Sequence, residues 1–152
     1  MAGEPITTIT TTPTREQIAE LFDRREAAYA RLDARALMTD YAEDAIVESP
    51  LGGTQQGQAA IEVVLKGLFE AFPDVKVRTS QLVIDGNRVA QLVSFEGTDL
   101  GRLLGMEPTG KSFHLPAALF YEFNGRLITH ERRIYDFTGL LVQVGVMKAK
   151  PI

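Results

Sequence analysis

Two glycine–asparagine turns constrain this chain most. Asn124-Gly125 lies between two long runs of β-type residues, 113–123 and 126–137. That dipeptide adopts the positive-φ backbone of a tight turn whose twist suits antiparallel strands, so the runs are predicted to form a hairpin. Gly86-Asn87 plays the same part between residues 75–85 and 88–98. Two hairpins therefore account for four consecutive strands in the second half of the chain.

The first half has a helical period instead. Thr14-Arg15-Glu16-Gln17 fits a capping box, and Ile18, Leu21, Phe22, Ala28, Tyr29 and Leu32 continue as one buried stripe over residues 14–33. Asp33 caps a second, shorter helix ending near Tyr41. Residues 45–49 read as a short strand stopped by Pro50. After the loop at 52–57, a third helix over 58–72 turns Ile61, Val64, Leu65, Leu68 and Phe69 inward and ends at Pro73-Asp74. The apolar segment 140–146 suits a short helix or a last strand. The predicted fold is α+β: a curved antiparallel sheet with helices packed on one side. Between the hairpins, residues 99–112 form a connection long enough for a lid or binding loop.

Composition removes several function classes. The 152 residues are 45% hydrophobic and 24% charged, the balance of one globular domain. A net charge of −4 with no local basic run argues against a sequence-independent grip on nucleic acid. The chain has no cysteine, which excludes disulfides, thiolate ligands and a thiol nucleophile, and only His114 and His130 among histidines, so no metal site is expected. No apolar run is long enough to span a bilayer, and the N-terminus lacks the features of a secretory signal. A cytoplasmic protein without membrane partners is the expectation. Residues 1–13, rich in threonine, and 149–152 read as tails around a domain at 14–148.

Several short motifs together carry a resemblance. These are Tyr41-Ala42-Glu43-Asp44-Ala45, Gly57 opening the third helix, Phe72-Pro73-Asp74, Pro108-Thr109-Gly110-Lys111, Asn124-Gly125-Arg126-Leu127, and Gly139-Leu140-Leu141-Val142-Gln143-Val144-Gly145 after Asp136. In this order and spacing the chain resembles the SnoaL-like polyketide cyclases of the nuclear transport factor 2-like superfamily. The resemblance implies a cone-shaped sheet packed against three N-terminal helices, a hydrophobic pocket, homodimerisation and cofactor-independent chemistry with an aspartate base. Asp136 matches that aspartate. Many relatives place Arg, an aromatic residue and Asp at alternate strand positions; here the alternate set is Arg132, Ile134 and Asp136.

Register predicts which side chains share the pocket. With Asn124-Gly125 as the two turn residues, Phe123 pairs with Arg126, Tyr121 with Ile128, Leu119 with His130, Ala117 with Arg132, Leu115 with Ile134 and Phe113 with Asp136. One face then holds Phe113, Leu115, Leu119, Tyr121, His130, Arg132 and Asp136. His114, Glu131, Arg133 and Tyr135 fall on the other, unless a β-bulge intervenes. At about 3.3 Å per residue, Arg132 stands roughly 13 Å and His130 roughly 20 Å from Asp136, too far for a polar relay. Asp136 is thus expected among hydrocarbons, where lost hydration would raise its pKa and make it a better base. Its rival role is to favour the start of the last segment as a helix cap. Tyr121 could donate to an oxyanion, and His130 and Arg132 could orient a substrate oxygen. Tyr29 is expected along the helix side and Met106 over the mouth, while Glu48 and Glu96 are possible second carboxylates.

The function expected is a cyclase or isomerase acting through Asp136 on a hydrophobic, polyketide- or steroid-like carbonyl compound, without a cofactor. The alternatives are a non-catalytic module that binds an apolar molecule or dimerises, and an epoxide hydrolase. The last would need two carboxylates bridged by an arginine, with Arg132 as the candidate.

Overall fold

Thr14 begins the first helix as its sequence predicts. Its Oγ1 accepts from Gln17 N at 3.1 Å, and Gln17 Oε1 accepts from Thr14 N at 2.9 Å, which satisfies two amides that the helix itself cannot. A computed structural model describes residues 11–149 of the chain. Most of the expected N-terminal tail and the end of the C-terminal one lie outside the described residues. Helix α1 (Arg15–Ala30) is followed by α2 (Ala34–Met38), β1 (Tyr41–Ser49), β2 (Gly53–Gln56) and α3 (Gln58–Ala71). Strands β3 (Lys76–Asp85), β4 (Arg88–Thr98), β5 (Ser112–Asn124) and β6 (Leu127–Tyr135) come next, and α4 (Phe137–Gln143) closes the fold.

The six strands form one curved, unclosed sheet in the order β2-β1-β6-β5-β4-β3. It is mixed rather than wholly antiparallel, because β1 returns beside β6 in parallel. Strand β2, read from sequence as a loop, pairs with β1 at the edge. Helices α1 and α3 pack on the inner face, and α4 packs against β5. Burial alternates without a break from Phe113 to Phe123, so β5 turns every second side chain into the core. Aromatic edges lock that core: Phe22 meets Tyr121 with ring centres 5.0 Å apart, and Phe113 meets Phe72 at 4.8 Å and Phe95 at 4.9 Å. Such edge-to-face pairs each add about 0.5–1.5 kcal/mol beyond area burial.

Two β-bulges re-aim the sheet. On β6, Phe123 faces Ile128 but Glu122 faces His130, leaving Thr129 as the extra residue. On β3, Thr79 faces Val93 and Gln81 faces Leu92, leaving Ser80 extra. Each extra residue bonds across to the partner strand, Thr129 Oγ1 to Glu122 O at 3.1 Å and Ser80 Oγ to Leu92 O at 3.1 Å. Since strand side chains alternate faces, one inserted residue reverses every side chain beyond it. The Asn124-Gly125 hairpin is also closed one residue later than predicted, with Asn124 opposite Leu127. That shift alone preserves the predicted faces; the bulge at Thr129 overturns them.

The long connection between β4 and β5 is tied down rather than poised over the interior. Buried Asp99 accepts from Thr109 N at 3.0 Å through Oδ2, and Asp99 N donates to Lys111 O at 2.9 Å. Gly101 N donates to Ala71 O at 3.1 Å at the end of α3. A Cβ on Gly101 would stand only 1.8 Å from Glu70 O, so no other residue fits without displacing backbone. Gly101→Ala is therefore expected to destabilise the fold by about 1–3 kcal/mol. In urea unfolding it should lower the midpoint with little change in slope.

Candidate functional site

Beyond the Thr129 bulge, β6 sends Glu131, Arg133 and Tyr135 to the inner face. Glu131 has no exposed surface. Its Oε2 accepts from Arg133 Nη2 at 3.0 Å, from Arg133 Nε at 3.2 Å and from the Tyr41 hydroxyl at 2.9 Å. Arg25 on α1 donates to the Tyr41 oxygen at 2.9 Å and to Asp40 Oδ2 at 3.3 Å. Tyr29 Oη accepts from Arg133 Nη2 at 3.4 Å. Beside this group, Tyr121 donates to Gln91 Oε1 at 3.0 Å, and Gln91 Nε2 donates to Thr79 Oγ1 at 2.8 Å. Burial works to raise the pKa of Glu131, but the guanidiniums of Arg133 and Arg25, helped by the Tyr41 hydroxyl, outweigh it and hold the carboxyl below its ordinary value.

Arg133 and Tyr135 emerge into a cavity of about 50 Å³ between the β1–β2 turn, α3 and the sheet. Leu68, Phe95, Ala117 and Leu119 form its buried floor, and the half-buried Leu51, Gly52, Val64 and Val77 ring its mouth. A smaller cavity beside it shares Ser49, Val64 and Arg133. Tyr135 Oη accepts from Leu51 N at 3.3 Å, so the turn rests on the phenol. Burial raises the Tyr135 pKa above its ordinary value, which keeps the phenol protonated at neutral pH. Arg133 Nη1 makes no hydrogen bond among the described residues. The cavity is thus mostly hydrocarbon, with the Arg133 guanidinium and the hydroxyls of Tyr135 and Ser49 as its hydrogen-bond donors. Among the described residues no cluster suits a metal ion, and no helix is long and apolar enough to cross a membrane.

The residues predicted from sequence divide sharply. Leu119 lines the cavity. Tyr29 and Tyr121 are buried in the polar network behind it, and Leu115 and Phe113 are core residues outside its lining. His130 and Arg132 are on the outer face, a correction that follows from the Thr129 bulge. There His130 Nε2 lies 2.6 Å from Glu48 Oε2, and Arg132 Nε donates to the same oxygen at 3.2 Å. Those two bonds hold the Glu48 carboxyl below its ordinary pKa. Glu96 pairs across the strands with His114. Met106 is 38% exposed and lies outside the cavity lining, because Asp99 and Gly101 fasten its loop elsewhere.

Asp136 is corrected in position as well. It is exposed, and its Oδ1 accepts from Gly139 N at 2.8 Å as the N-cap of α4. The expected hydrocarbon surroundings are absent because the shifted register ends the β5–β6 pairing at Ala117 and Tyr135, before Asp136. Nor do Arg132 and Asp136 share a bridge, since Arg132 is engaged with Glu48. Sequence reasoning missed Glu131, Arg133 and Tyr135 as site residues. Both faces of a bulge-free β6 carry charge, so hydrophobic pattern could not choose between them.

Glu131→Gln should cost about 3–5 kcal/mol, because it leaves Arg133 charged, buried and uncompensated. The depressed Glu131 pKa stabilises the fold above pH 4.5, its ordinary value, and that contribution is lost as pH falls through the lower folded value. Urea unfolding across that acidic window should show a shallower pH dependence in Glu131→Gln than in wild type. Asp136→Ala should cost only about 0.5–2 kcal/mol, the worth of a helix cap.

Comparison with known proteins agrees with this architecture. TsrD from Streptomyces laurentii superposes with a TM-score of 0.78 at 20% identity, over 88% of this chain and 98% of that one. A protein of Jannaschia sp. CCS1, named for the SnoaL-like polyketide cyclases, gives a TM-score of 0.78 at 16% identity over 95% and 99% of the two chains. A Catenulispora acidiphila protein with a ketosteroid isomerase-like fold, solved with trimethylamine, gives 0.73 at 22% identity over 83% and 92%. These likenesses establish the fold. No curated protein matches the sequence. The model of the SnoaL-like polyketide cyclases matches residues 19–144, a span that takes in most of α1, every strand and α4. The chain belongs to the SnoaL-like polyketide cyclase family.

Proposed function

We propose that this protein is a cofactor-independent enzyme of the cyclase or isomerase type. It holds the carbonyl oxygen of a hydrophobic small molecule in the cavity beneath the β1–β2 turn. The observation that carries this reading is Tyr135. Its oxygen accepts the Leu51 amide, which leaves its own proton free to donate into a cavity walled by Leu68, Phe95, Ala117 and Leu119. Arg133 supplies a second donor. Removing a proton next to a carbonyl builds negative charge on the oxygen, and two fixed donors in an apolar, water-poor site stabilise that charge more than water does. The family's aspartate base maps to Asp136, which must release Gly139 N to reach a substrate. The cavity is smaller than the roughly 300 Å³ usual for ligand sites, so entry requires the Leu51-Gly52 turn to lift off Tyr135.

One observation favours a second reading, a binding module without catalysis: the cavity lining contains no carboxylate and no imidazole. Acetophenone binding, followed by thermal stabilisation, separates the readings together with turnover assays on enolisable aryl ketones. Tyr135→Phe is expected to weaken binding about tenfold, the worth of one strong hydrogen bond. Unchanged affinity would remove Tyr135 from the site. Asp136→Asn should keep binding and lose turnover if the aspartate is the base. Ketones bound but never turned over by wild type would support the module.

The outer sheet face suggests how two copies associate. Phe120 is 47% and Ile134 53% exposed around a groove of about 470 Å³. Asp85 and Glu122 lie there with Arg88 and Arg132. An apolar centre carrying both charge signs is what a two-fold, self-complementary contact requires. We infer a homodimer through this face. Ile134→Glu, which sets like charges against each other across the two-fold, should shift light-scattering mass from dimer to monomer.

A further inference from the structure

We propose that Glu131 makes the cavity selective for uncharged ligands by neutralising the one guanidinium in its wall. The inference rests on reading this cavity as the ligand site, and it adds a determinant that never touches the ligand. Arg133 and Tyr135 are the ionisable side chains in the lining, and only Arg133 is a cation. Left alone, a guanidinium in an apolar cavity would draw a carboxylate, the anion its planar fork fits best. It is not alone. Glu131, wholly buried behind the cavity, takes two of its N–H groups onto one oxygen at 3.0 and 3.2 Å.

The buried cation further back is also paired with a carboxylate. Arg25 shares Asp40 with Arg24 and is linked to Glu131 through the Tyr41 hydroxyl. The buried cations Arg25 and Arg133 thus each face a buried carboxylate, and the remaining charge, on the half-exposed Arg24, lies where water screens it. A ligand carboxylate would enter as a second anion on an already compensated cation and lose its hydration without matching return. A ketone oxygen needs only donors, and Arg133 Nη1 and the Tyr135 hydroxyl offer them. Glu131 is therefore a positioning and charge-setting residue acting through Arg133.

Acetophenone and benzoate, nearly equal in shape and different in charge, provide the test. Amide shifts of ¹⁵N-labelled protein report where they bind, and titration gives the affinities. Wild type is expected to bind acetophenone at least tenfold more tightly than benzoate, with shifts centred on Val77, Leu119 and Tyr135. Glu131→Gln, which frees the Arg133 charge, should reverse that order by tenfold or more. Glu131→Asp, which keeps the charge, should retain the wild-type order. Benzoate binding wild type as tightly as acetophenone, or an unchanged ratio in Glu131→Gln, overturns the proposal while leaving the cavity as a ligand site. If neither probe moves those amides, the ligand-site reading falls, and this proposal with it. Should Glu131→Gln not fold, the wild-type ratio decides: a tenfold ketone preference supports charge compensation, and parity overturns it.

Discussion

A carboxylate with no exposed surface survives in a protein interior only when partners replace the water it has lost. Glu131 meets that condition at Oε2, where Arg133 and Tyr41 donate, while its buried Oε1 has no hydrogen-bond partner among the described residues. Arg25 on α1 and Asp40 before β1 extend the network to the helical layer, while Tyr121 and Gln91 lie beside it on the central strands. The polar cluster ties the helices to the sheet where hydrocarbon alone would fix neither angle nor register. Its partners all have to be present at once, since removing one leaves a buried charge exposed to nothing but hydrocarbon.

The network exists because β6 carries a bulge. A regular β6 would turn His130 and Arg132 inward and send Glu131 and Arg133 into solvent. Thr129 absorbs the reversal with its hydroxyl on Glu122 O, and Ser80 performs the corresponding task on β3. Ser80 also aims Thr79 at Gln91, so both bulges serve the same end of the inner face. Bulges that re-aim side chains are common beside functional sites, and here one of them decides which charges line the cavity.

That choice sets the polar groups the cavity presents. A compensated Arg133 and a protonated Tyr135 make one end a donor surface for a neutral oxygen, while the rest is hydrocarbon. The pair belongs to a single strand, so their spacing follows from backbone geometry rather than from a flexible loop. In the proposed reading, the β1–β2 turn resting on Tyr135 links admission of a ligand to the same phenol that would bind it. Asp136, at the junction of β6 and α4, is one residue beyond Tyr135 and belongs to the cap of the helix.

Much of the architecture was legible in the residues alone. The capping box at Thr14, the Gly86-Asn87 turn, the helix ended by Phe72-Pro73 and the alternation of β5 are local signals, and each led to the element found. The family followed from short motifs in order, which depend on the same local geometry. Strand β2 escaped because Gly53-Thr54-Gln55-Gln56 has no buried face, and its pairing with β1 makes it a strand. The site escaped for a stricter reason. A bulge is one unpaired residue, and Thr129 differs from its neighbours only in what the opposite strand offers it. Sequence by itself determined the first three helices, the two hairpins and an α+β fold, but not strand β2 or whether the last segment is helical. Only the tertiary structure decided that Glu131, Arg133 and Tyr135 face inward, because the face of a strand depends on register across to its neighbour, where burial of one ion pair outweighs local pattern.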